Sequence, residues 1–260
     1  MLRRDGLIVL FAMVVLVLIA AAYTVFGIGM NMSAIEMTRM ARPIGEPMSM
    51  PMQPHWSLSY ALVVFLMWWV MMIAMMTPSA APLVLLFAAV KRMGPDANQS
   101  AAHSGLLLTG YLMAWAGFSA VATFGQWSME ALGLVAGAMM TLEGRGLAAL
   151  VLIAAGLYQF TPIKTACLKH CRAPGQFLAD HHRPGGTGAI RMGVEHGTYC
   201  LGCCWALMAL LFVGGIMNLY WIVGLTAYVL IEKLAPRGEV VAKTAGAALI
   251  CVGAGMLLTS

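Results

Sequence analysis

Charge is what this sequence has least of. Asp, Glu, Lys and Arg make up 10% of its 260 residues, where an ordinary soluble domain has about 25%. Hydrophobic residues make up 61%, against about 45–50%, and they lie in long runs rather than on amphipathic faces. The P-loop, the glycine-rich dinucleotide fingerprint and the HExxH zincin motif are all missing, so ATP hydrolysis, dinucleotide binding and zincin chemistry have no support. No Asp or Glu falls in the middle of an apolar run; Glu130, Glu195 and Glu232 stand near run ends. That disfavours a proton relay, which normally needs intramembrane carboxylates. Nothing alternates with period two over ten-residue segments, which excludes a membrane barrel. The net charge of +5 sits in short loops beside apolar runs, where it reports membrane orientation and not nucleic-acid binding.

What is present is a series of apolar runs at Leu7–Gly29, Trp56–Val90, Gly105–Gln126, Gly146–Thr161, His196–Gly215, Asn218–Ile231 and Val240–Leu258. A span takes about 20 apolar residues, and in lipid only internally bonded helices or closed barrels satisfy the backbone. The expectation is an all-α, polytopic bundle of about seven transmembrane helices, with residues 1–260 as a single membrane domain. Pro78 and Pro82 are expected to kink the long second run or to divide it into a span and a re-entrant piece. The first run follows Arg3 and Arg4 and contains Ala20, Ala21 and Ala22. It reads as a retained helix, with a cleaved leader as the rival reading.

Lys and Arg set the orientation. With the N-terminus inside, twelve of the 15 fall on the cytoplasmic side, Lys164 and Lys233 among them, and Arg39, Arg42 and Arg145 fall outside. Residues 30–56 then form a Met-rich outer loop and residues 164–195 a basic cytoplasmic loop. The expected location is the bacterial inner membrane.

Sulfur carries the chemistry. Five of six cysteines form two groups, Cys167 with Cys171 and Cys200 with Cys203 and Cys204. Both spacings put the thiols on one helical face, and His170 and His196 stand beside them. The groups lie on consecutive helices at the expected cytoplasmic boundary. That compartment is reducing, so structural disulfides are disfavoured and a soft-metal or redox site is favoured. Of 23 methionines, seven lie in Met30–Met52 and five in Met67–Met76. Met48, Met50 and Met52 make an MxMxM pattern in the outer loop, while Met67, Met71 and Met75 share a helix face. Thioethers are neutral ligands that favour Cu(I); packing is the competing explanation for the second group.

The segments 67–87, 156–174 and 196–221, with the Met-rich run, the CxxxC and the CxxCC after His-Gly in that order, resemble a bacterial family of metal-binding integral membrane proteins. The resemblance covers Trp56 to the C-terminus. It implies a multi-span protein with a metal site carried by Cys167, Cys171, Cys200, Cys203 and Cys204, and no particular reaction. The order of ligands is similar, in logic and not in sequence, to that of eukaryotic high-affinity copper transporters.

These readings converge on capture, with transport, of Cu(I) through Met-rich segments to a cytoplasmic-side Cys cluster. They favour metal handling over an enzyme. Zinc suits the inner ligands equally well. Membrane lipid, the metal ion and a copper chaperone or metalloenzyme are the expected partners, with no nucleic acid. The alternatives are a membrane thiol-redox or metalloenzyme assembly factor, and a structural membrane subunit.

Overall fold

The structure is a computed structural model that describes residues 4–30, 32–41, 44, 56–94, 97–136, 140–142 and 144–259. Met48, Met50 and Met52 lie outside the described residues. The elements in chain order are α1 (Arg4–Phe26), α2 (Ala34–Arg39), α3 (Leu58–Arg92), a single 3-10 turn (Ala97–Gln99) and α4 (Ser100–Ala131). A two-stranded antiparallel ribbon follows, β1 (Val135–Ala136) with β2 (Thr141–Leu142). Then come α5 (Arg145–Tyr158), α6 (Pro162–Arg172), α7 (Pro174–Asp180), α8 (Gly185–Ala209), α9 (Leu211–Gly214), α10 (Leu219–Leu234) and α11 (Gly238–Leu258). Among the described residues the regular structure is all helical apart from that ribbon.

Among the described residues, five helices are long and apolar enough to cross a membrane: Gly6–Phe26, Leu58–Arg92, Ala97–Ala131, Gly185–Gly214 and Gly238–Leu258. The fourth apolar run does not continue straight. It breaks at Gln159–Thr161 and bends by 64° between α5 and α6. Thr161 caps the new helix, accepting from the Lys164 N–H, and Pro162 occupies its first turn, the place where a missing N–H costs nothing. Taken as one broken span, α5 and α6 make a sixth. The sixth run became α10, 16 residues long. At 1.5 Å per residue it covers about 24 Å, short of a core of about 30 Å, so the described residues do not confirm the expected count of seven.

One alternative for the second run falls away, and the expected cytoplasmic loop changes. The helix α3 runs unbroken through Pro78 and Pro82. Polar side chains bond the backbone within this stretch, with Ser79 Oγ and Tyr111 Oη both donating to the Met76 carbonyl at 2.9 and 3.0 Å. Residues 164–195, expected as a loop, carry most of α6, all of α7 and the first turns of α8. The start of α8 at Gly185 places Cys200 near the middle of the Gly185–Gly214 stretch rather than at its end.

The core is organised on α4, which packs along α8 on one side and α3 on another. Helix α1 lies on α3, α5 lies on α11, and α6 rests on α8. The α4–α8 contact is close because glycines face it. A Cβ at Gly193 would run into the backbone of Leu107 and Tyr111, and one at Gly110 into that of Ile190. This is the small-residue packing of apolar helices. We expect Gly193→Ala to push the two helices apart and cost about 1–3 kcal/mol, the usual range for overpacking. Denaturant unfolding in detergent would check it, and unchanged stability would contradict the close approach.

Near the N-terminal side, α2 is fixed by a capping box. Ser33 Oγ accepts from the Glu36 N–H, and the Glu36 carboxylate accepts from the Ser33 N–H at 2.9 Å. These bonds hold the Glu36 carboxyl below its usual range by stabilising the charged form.

A thiol cluster between α6 and α8

The helical repeat sets Cys200, Cys203 and Cys204 on one face of α8, and all three are buried. Their sulfurs lie within 4.8 Å of one another. A metal–sulfur bond is about 2.3 Å, so three thiolates around one ion stand about 4 Å apart, and only small rotations separate this cluster from that spacing. The second group arrives from α6, whose own turn puts Cys167 and Cys171 on one side. Cys171 Sγ is 3.9 Å from Cys203 Sγ. Cys167 packs against Gly202, where any Cβ would collide with its sulfur. Two cysteine groups about thirty residues apart thus meet at one place.

The remaining candidates divide. His196 sits one turn before Cys200, is buried, and has an Nδ1 with no hydrogen-bond partner. Its ring packs against Tyr111 and Phe177. His170 turns away from the thiols: its ring is exposed, stacks on Tyr199 with centroids 4.3 Å apart, and uses Nδ1 on the Ala166 carbonyl. Cys251 is exposed and alone on α11. Met67, Met71 and Met75 are buried in α3, with Met72 and Met76 beside them. Tyr111 Oη reaches both the Met76 carbonyl and, at 3.1 Å, Cys200 Sγ, so the α3 backbone beside Met75 lies one hydroxyl away from the cluster.

Sequence reasoning missed the charges around the thiols. Lys233, counted there as a cytoplasmic loop residue, is buried and donates to Cys200 Sγ at 2.8 Å and to Ser79 Oγ at 3.0 Å. Lys164, counted the same way, is 1% exposed and pairs with the fully buried Glu232 at 2.7 Å. Its Nζ also donates to the Cys203 carbonyl, tying α6 to α8. The ammonium of Lys233 offers the counter-charge that a thiolate needs in a low-dielectric interior. The adjacency of Glu232 and Lys233 at the end of an apolar run, and Lys164 one turn before Cys167, were the available signals. Nothing in the sequence pointed to Tyr111.

Convergent thiols in this polarisable, water-poor setting select soft ions. A model of the PpoB2 copper chaperone family matches residues 65–256. The chain belongs to that family. The matched stretch contains all five clustered cysteines, His170, His196 and the α3 methionines, while Met48, Met50 and Met52 fall before it. PpoB2 membership and the cysteine cluster together point to binding of copper or another soft metal. No curated protein and no solved structure matches the chain.

Proposed function

We propose that this PpoB2-family protein is a membrane-embedded handler of Cu(I), collecting the ion with methionines and holding it at the α6–α8 thiols for delivery. One observation carries the reading: Cys171 Sγ stands 3.9 Å from Cys203 Sγ, beside a buried triad. Thiolates need a partner in such a place, and a soft cation satisfies several at once. Zinc fits the same donors with Cys171 as a fourth ligand, so the metal content of anaerobically purified protein decides between them.

In this reading the five apolar helices and the bent α5–α6 pair cross the bacterial inner membrane with the N-terminus inside. Treating α8 as a span puts the thiols near mid-depth, not at the inner face. Met48, Met50 and Met52 gather the ion outside, and Met67, Met71 and Met75 carry it inward along about 12 Å of α3, at 1.5 Å per residue. Neutral thioethers pass a monovalent ion without charges facing lipid, and tighter binding by thiolates draws it downhill. Replacing Met71 and Met75 together by Leu keeps volume but removes both sulfurs. It should slow copper loading from the outer side of sealed vesicles several-fold. Loading at the native rate would defeat the passage and leave only the storage site.

A second reading, thiol–disulfide exchange, draws on the same Cys171–Cys203 approach. It requires a mixed disulfide with a partner to accumulate when Cys203 is replaced by Ser, whereas copper handling requires none.

A further inference from the structure

Away from the thiols, one methionine has a backbone that its side chain does not favour. Met140 has φ +52, the one non-glycine positive φ among the described residues. L-residues pay a steric cost in that region, and such outliers persist where their surroundings over-determine them. Its surroundings are specific. Met140 is buried at the turn before β2, and its Sδ accepts from Gln126 Nε2 at 2.9 Å. The same nitrogen donates to Glu130 Oε1 at 2.8 Å. Gln126 is fully buried on α4, and its Oε1 accepts from Trp68 Nε1 at 2.9 Å, while Glu130 Oε2 accepts from Trp56 Nε1 at 2.8 Å. One amide therefore holds a thioether and a carboxylate on its two N–H groups, with the thioether carried on a positive-φ backbone.

The position gives this arrangement a use. Trp56 stands just before Ser57, the N-cap of α3, and Trp68 follows Met67, the first sulfur of the methionine stripe. The stripe offers only neutral ligands, so an ion entering it sheds water without gaining a counter-charge, which is costly in an apolar interior. A carboxylate at the mouth supplies that charge, and a thioether beside it supplies softness. We propose that Met140 Sδ and the Glu130 carboxylate form an entry site for a monovalent soft cation at the head of the α3 stripe. Gln126 holds the two ligands when no ion is bound and releases them when one is. The inference rests on the copper reading for its cargo, but its residues are separate from the thiols.

Silver(I), which is redox-inert and shares the softness of Cu(I), is the probe. Full-length protein in detergent is titrated anaerobically against a strong and a weak chelator, which separates tightly held ions from weakly held ones. Met140→Leu should lower the number of weakly held ions by one and leave the tightly held ion unchanged. Met140→Gly should remove the same ion while lowering the Tm, because the cavity left by a buried methionine outweighs the relief of a positive φ; a merely structural Met140 would change the Tm alone. Glu130→Gln, which removes the charge and keeps the shape, should weaken the same weakly held ion. A native count of weakly held ions in both Met140 variants overturns the proposal. Absence of the tightly held ion from the unsubstituted protein would instead count against the thiol site, and the same titration reads the two separately.

Discussion

Cys203→Ser is expected to lose tight copper binding. Cys203 is the sulfur shared by both cysteine groups, a member of the buried triad and 3.9 Å from Cys171. Serine nearly matches its size but offers a hard oxygen that remains protonated, so the ligand is lost while the packing survives. Changes to groups that only orient ligands typically cost 10–100-fold in metal affinity, so losing this ligand should cost more than about 100-fold. Cys251→Ser, at an exposed position on α11, should change nothing and serves as the control. Anaerobic competition with a Cu(I) chelator measures both. Native affinity in Cys203→Ser would show that the convergence of α6 and α8 thiols is packing and not ligation.

The second large effect falls on stability. Glu232 is fully buried against Lys164, itself 1% exposed, and also accepts from Tyr228 Oη at 3.3 Å. Removing one member of a buried ion pair strands the other, at about 3–5 kcal/mol. Glu232→Ala should therefore destabilise the protein by about that amount in denaturant unfolding. It should also loosen the tie from Lys164 to the Cys203 carbonyl and weaken copper binding secondarily. Replacing both partners with apolar residues, Lys164→Met with Glu232→Leu, should recover most of the stability, since a buried pair contributes little beyond its own desolvation. A Glu232→Ala protein as stable as the native one would mean that water reaches Lys164.

The charges show where a linear reading of the chain stops. Lys164 and Lys233 read as cytoplasmic ends or loops and Glu232 as a run end because each lies at the edge of an apolar run, and the edge of a run is normally the edge of the bundle. The 64° bend between α5 and α6 breaks that equivalence. It turns α6 across α8, so residues late in the run return to the interior. The same bend brings Cys167 and Cys171 to the triad. Without it, a straight fourth helix would carry them further along its own axis. The extension of α8 back to Gly185 was hidden for a related reason: its first turns are rich in glycine and charge, and they are held by Arg183 and Arg191 on Glu195 rather than by hydrophobic periodicity.

The apolar runs and their lack of period-two alternation led to the helical fold that the described residues show, and local spacing determined which sulfurs share a face. Both follow from short-range physics: apolar length, the 3.6-residue turn and the softness of sulfur act within a single helix. Tertiary structure decided that the two cysteine groups meet, that His170 faces away while His196 faces in, and that lysines stand among the thiols. Those outcomes depend on how helices cross, and crossing is set by glycines at close contacts and by a bend at Thr161–Pro162, whose effects appear only when distant segments pack.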